Sequence, residues 1–242
     1  MAEPRKRTPK FFFLLPILAI TCLPIASCRP AESDTPKPVS YPQTSDNYVT
    51  PSKIFPYDLK SAAKELAGKT VWVRSGEAFP YYRCDSAGHT ADLAHKSGML
   101  PSLDKLQVKD VILQRAPVSL EPGQVVVVRR LILATFERPG TPGLFAVSIG
   151  SNISDDFTFT VNDVFFFEDP HILYKHWPAE IWSAIDQHQA KKGMNELQTG
   201  FALGKEAAVG SGDYGNRWVR YGEEGHPVKV VFVKNQAIDI KE

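Results

Sequence analysis

The chain has 242 residues, 43% hydrophobic and 23% charged, an ordinary globular composition that excludes a wholly disordered or collagen-like protein. Its formal charge of +1 is unevenly placed: the first 27 residues carry Arg5, Lys6, Arg7 and Lys10 against Glu3, a net +3 that leaves −2 for the rest. A faintly acidic body has no electrostatic footprint for nucleic acid. Of the three cysteines only Cys84 lies in the body, so an internal disulfide framework is excluded there.

The N-terminal "MAEPRKRTPK" is a basic n-region, and "FFFLLPILAITCLPI", Phe11 to Ile25, is an apolar h-region. A spanning helix needs about 20 apolar residues. This run is shorter and is interrupted by Pro16 and Pro24, which reads as a secretory signal over residues 1–27. The small residues Ala26 and Ser27 then precede Cys28. Ile25-Ala26-Ser27-Cys28 resembles a bacterial lipobox, and the resemblance implies cleavage before Cys28 and a diacylglyceryl thioether on its sulfur. Cys22 is the competing acceptor, but Thr21 is branched where a small residue is needed. Residues 28–52 are rich in Pro, Ser, Thr and Asp and carry almost no aliphatic side chains, which predicts a lipidated N-terminus followed by a disordered, semi-extended tether.

The body is expected to be α+β, with a β-rich module over 53–170 and a small α+β module over 171–242. "YDLKSAAKELAG" predicts a helix capped by Asp58 and stopped at Gly68, and "KTVWVR" a strand. Residues 75–107 show no sustained period and read as loop-rich. "KDVILQR", "QVVVVRRLILATFE", "GLFAVSIG" and "FTFTVNDVFFFED" are four β-branched and aromatic strand candidates separated by short turns. Consecutive strands of this kind predict a mostly antiparallel sheet curled into a small barrel or sandwich, SH3-like by analogy alone. "HWPAEIWSAIDQHQAKKG" predicts a helix from Pro178 with Ile181, Trp182 and Ile185 on one face and Gly193 at its end. "MNELQTGFALG" begins again with Asn195 and Gln198 in capping-box spacing. "NRWVRY" and "VKVVFVKNQAIDI" read as a pair or trio of strands with a turn at Asn235.

These last segments resemble the SmpA/OmlA, or BamE-like, lipoprotein domain. The resemblance is carried by Gly193, Met194, Leu203, Gly204, Trp218, Tyr221, Val230 and Phe232, over roughly the last quarter of the chain. It implies a two-helix layer against a small antiparallel sheet, in a family often engaged in protein–protein contacts at the inner face of the outer membrane. Read as residues alone, the same positions are the core and turns of a small domain.

Candidate chemistry is sparse. Cys84, Asp85, His89, Asp92 and His95 fall within twelve positions, and a Cys–His pair could act as nucleophile and base or contribute to a zinc site. The spacing matches no zinc signature, and mixed-polarity loop residues are the preferred reading. Glu168, Asp169, His171 and His176 place acids beside imidazoles, where acid–base work is one reading and a polar strand-to-helix junction the preferred one. "GSGDYGN", Gly210 to Asn216, has phosphate-loop glycines but no lysine, and reads as a turn between helix and strand. Asn152-Ile153-Ser154 fits a glycosylation acceptor by letter only.

The expectation is therefore a lipid-anchored envelope lipoprotein that binds or scaffolds another envelope protein, in outer-membrane protein assembly or envelope integrity. It carries lipid at Cys28 and has no catalytic residue, metal or cofactor. Arg29, rather than aspartate, after the acceptor points to the outer membrane. The alternative is an envelope hydrolase using Cys84 with a nearby histidine.

Overall fold

A computed structural model describes residues 46–116, 129–222 and 227–241. The signal segment, Cys28 and the first part of the tether lie outside the described residues. The architecture is α+β, with two antiparallel sheets. All the described residues belong to one compact unit, Pro38–Glu242.

The larger sheet is built from β1 (Thr70–Val73), β2 (Phe79–Cys84), β3 (Ala91–Leu100), β4 (Lys105–Arg115), β5 (Arg129–Arg138), β6 (Thr141–Ile153), β7 (Asp156–Phe159) and β8 (Phe165–Phe166). Its order is β3-β2-β6-β5-β4-β1-β8, with β7 paired to β6. Ile132–Phe136 in β5 form an unbroken buried run. Alternation along the strand explains this run. Ile132, Ala134 and Phe136 enter the main core with Val71, Leu106, Val108 and Phe145, beneath Ala62 and Leu66 of α1 (Leu59–Leu66). Leu133, on the other face, joins Cys84, Ala91 and Ala146 in a smaller cluster.

Three expectations for this region are corrected. Among the described strands the sheet is an open path and not a closed barrel, because β3 and β8 end the order without meeting. Residues 75–107 are not loop-rich but hold β2 and β3. Their register shifts at Tyr81/Tyr82 and Tyr82/Cys84 place extra residues in β3 and erase the two-residue period. "FTFTVNDVFFFED" is not one strand. It divides into β7, the turn-long helix α2 (Val161–Val164) and β8, since Val161 and Val164 are both buried three residues apart.

The second layer contains α3 (Pro170–Leu173), α4 (Ala179–Asp186) and α5 (Glu196–Leu203). Phe166 points away from the core that receives Phe165 and joins Tyr174, Trp177, Trp182, Ile185, Met194 and Phe201. α4 stops before the expected Gly193. His188 takes a left-handed conformation at φ 54°, its N–H donates to Ile185 O, and the Gln189 N–H donates to Ala184 O. This is a Schellman ending with histidine where glycine is usual. α5 carries the expected capping box between Asn195 and Gln198.

The smaller sheet runs β9 (Glu206–Val209), β10 (Trp218–Tyr221), β11 (Val228–Val233) and β12 (Gln236–Lys241), each antiparallel to the next. β9 was not anticipated, so the Gly210–Asn216 segment joins two strands rather than a helix and a strand. Lys234 and Asn235, at φ 51° and 57°, turn β11 into β12 in the left-handed geometry of a tight hairpin. A parallel bridge between Gly76 and Lys205 joins the segment after β1 to the start of the smaller sheet.

Phe136 is fully buried, with ring centroids 6.1 Å from Phe145 and 6.4 Å from Tyr81. Phe136→Ala is expected to lower unfolding free energy by about 3–5 kcal/mol, read as an earlier urea midpoint.

Candidate partner-binding groove

Residues 46–58 form a strap across the body. It opens with the 3-10 turn Asp46–Tyr48 and ends at Asp58, the N-cap of α1. Composition assigns residues 46–52 to the tether, yet they are docked. Asp46 explains why: its Oδ1 lies 2.8 Å from His176 Nε2 and accepts from Trp177 Nε1 at 2.7 Å, while its Oδ2 accepts from Asn195 Nδ2 at 2.7 Å. Farther along, the Ser52 N–H donates to Glu168 Oε2 at 3.2 Å, and the Asn162 side chain bonds both the N–H and the C=O of Ile54. Val49 packs on the helical cluster and Ile54 on the main core, and Pro56 is buried.

Beside the strap lies a groove of about 760 Å³. Tyr48, Val49 and Thr50 form one wall; Thr70 and Trp72 of β1 and Lys105 of β4 form another; Phe167, Glu168, Asp169, Ile172 and Leu173 close it. Lys105 Nζ sits 5.8 Å from the Trp72 ring centroid. The two acids already have internal partners: Glu168 accepts from the strap, and Asp169 caps α3 by accepting from the His171 N–H at 2.9 Å. The groove therefore offers aromatic and aliphatic walls with a polar rim, a lining suited to an amphipathic partner.

The sequence-derived candidates are placed as follows. His171 stands between two carboxylates, with Nδ1 3.1 Å from Asp169 Oδ1 and Nε2 3.2 Å from Asp186 Oδ1, and it stacks on Trp182 at 4.1 Å. His176 holds the strap through Asp46. Glu168 and Asp169 thus stand at the junction between β8 and α3, whereas His171 lies within α3 and His176 beyond it, and both contact residues distant in the chain, Asp186 and Asp46. Cys84 ends β2 and Ala91 begins β3, and the two are register partners. Burial, with Asp85 nearby, pushes the Cys84 thiol up to about 11. His95 is paired with Asp92 at 3.0 Å, and the His89 backbone N–H donates to Asp85 Oδ1, which helps hold that carboxyl below its ordinary range. Among the described residues neither imidazole is hydrogen-bonded to the Cys84 sulfur, and no cluster of His, Cys, Asp and Glu is arranged to hold a metal. In the Gly210–Asn216 turn the Gly215 N–H is spent on Glu196 Oε2 at 2.6 Å, and the Gly210 N–H on Trp218 O.

A second, smaller cavity of about 370 Å³ is lined by Met99, Leu100, His188, Leu203, Lys205 and Tyr221, among others. Comparison with models of protein families, with curated proteins and with solved structures finds no match for this chain. The groove, the strap and the Asp46 contacts are what local sequence reading missed. They join residues 130, 131 and 149 positions apart, and no short motif signals them.

Asp46→Ala removes three side-chain contacts at once. It is expected to make peptide bonds in residues 46–52 several-fold more susceptible to limited proteolysis, while cleavage within β5 and β6 is unchanged. For Cys84, the folded chain keeps the proton that the unfolded chain releases near pH 9, so its contribution to stability is complete below that pH and falls as pH rises towards about 11. Cys84→Ser is expected to flatten that part of the stability–pH curve, measured by urea unfolding at pH 8 to 11.

Proposed function

We propose that this chain is a lipid-anchored protein of the bacterial cell envelope, held to a membrane through Cys28, whose body binds or scaffolds another envelope component. The observation that carries the reading is the order of signals at the N-terminus: a basic decapeptide, the Phe11–Ile25 apolar run, then Ala26-Ser27-Cys28. Burying each methylene of an acyl chain contributes about 0.8 kcal/mol, and two or more chains make attachment stable. Arg29 favours the outer membrane as the destination.

The binding role is supported by the groove beside the strap. It also draws on the proposed kinship of residues 171–242 with BamE-like domains. The support for that kinship is the order of α4, α5 and an antiparallel meander, together with the places its matching residues take. Met194, Tyr221, Val230 and Phe232 are buried, Gly204 ends α5 at φ 75°, and the Gly193 N–H donates to Ala237 O at φ 88°. Those six positions build a core and its turns, while Leu203 and Trp218 are half-buried.

Growing cells with a palmitate analogue tests the anchor. The wild-type chain is expected to take up label and partition with membranes, and Cys28→Ala to lose both. Label persisting in Cys28→Ala would refute the acceptor assignment.

A further inference from the structure

We infer that the outward face of the strap is a bilayer-contact surface, which lays the body on the lipid headgroups beside its own anchor. The inference rests on the Cys28 anchor proposed above. Tyr48 is 87% exposed, Phe55 77%, Tyr57 79% and Ile172 69%, and no other large apolar side chain among the described residues exceeds 55%. Three of the four lie on the strap, and Ile172 shares the groove with Tyr48.

Their exposure does not come from a loose backbone. The strap alternates: Ile54 turns in, Phe55 out, Pro56 in and Tyr57 out, with Ile54 gripped by Asn162 and the Tyr57 N–H donating to Ser61 Oγ. A segment this firmly held displays its aromatics at a fixed place, and an exposed apolar set of that kind marks an interaction surface.

Two features select lipid as the occupant. The first is reach: seventeen residues separate Cys28 from Asp46, and a chain of that length spans at most about 60 Å even fully extended. The strap is the first described segment after the anchor, so no part of the described body is joined to the lipid by a shorter stretch of chain. The second is charge. The Asp46 carboxylate faces inward onto His176, Trp177 and Asn195. The Asp58 carboxylate is taken up at the surface by the Ser61 N–H of its own helix, and the exposed Glu168 accepts from the Ser52 N–H. Lys53 and Lys60, by contrast, are exposed on either side of Phe55 and Tyr57. Tyrosine and phenylalanine between lysines suit an anionic headgroup layer, where amphipathic rings settle at the interface and cations meet phosphate. Because the acyl chains suffice for attachment, the strap sets orientation rather than residence.

The test uses the mature lipidated chain reconstituted in vesicles of phosphatidylethanolamine and phosphatidylglycerol, three to one. Cys84 is buried and Cys28 acylated, so Tyr48→Cys, Phe55→Cys and His89→Cys each supply one accessible thiol for a fluorescent label. His89 lies at the β2–β3 turn, the far end of β3 from Leu100, about 30 Å along the strand. Spin-labelled lipid is expected to quench positions 48 and 55 at least five-fold more than position 89. A chain that floats with the vesicles but is quenched equally at all three positions overturns the bilayer face and leaves the anchor intact. A chain that fails to float overturns both. Quenching or protection at 48 and 55 that requires an added envelope protein assigns the face to a protein partner and overturns the lipid assignment.

Discussion

The first turn of α5 is the constraint on which the arrangement depends. Glu196 is buried with its side chain fully enclosed, and it accepts from Arg217 Nε at 2.8 Å, Arg217 Nη2 at 2.6 Å and the Gly215 N–H at 2.6 Å. A buried carboxylate is tolerated only when its oxygens are fully occupied, and removing one partner from such a set is strongly destabilising. The residue before it, Asn195, caps the same helix through Oδ1 and uses its Nδ2 to hold Asp46. Two adjacent side chains therefore clasp the N-terminal strap on one side and the smaller sheet on the other.

That clasp explains why the helical layer has such a concentrated aromatic core. Tyr174, Trp177, Trp182 and Phe201 meet in stacked, tilted and edge-on pairs with centroids 4.5–6.5 Å apart. Short helices of four and eight residues bury little surface individually, and large rings supply the apolar area that helix length does not. The Trp177 indole N–H needs an acceptor once buried, and Asp46 provides it. Docking of the strap and satisfaction of the core are thus one event.

Much of this was legible in the sequence where the signal was local. The cap at Asp58, the capping box at Asn195, the strand character of β4, β5 and β6, and the turn at Asn235 follow from residue type and spacing over a few positions. What was not legible was long-range or irregular. Bulges in β3 break its alternation, β9 ("EAAV") has a single branched residue after glutamate and two alanines, and His188 ends α4 without the glycine that announces such an ending. The strap illustrates the limit most clearly. Its first residues have the composition of a linker. Contacts of Asp46, Ser52 and Ile54 with groups more than a hundred positions away make part of the strap a wall of the groove.

Among the described strands, the open path of the larger sheet leaves β3 as a terminal strand, paired on one side by β2. A flat, apolar margin there would invite a second molecule to add its own strand, a route to fibrils that crowded compartments punish. β3 is neither flat nor apolar: its register is broken twice, and Asp92, His95 and Lys96 are exposed along it. Kinks and mixed charge at a sheet margin deter templated growth. The same irregularity that hid the strand from sequence reading thus disfavours strand addition at that margin.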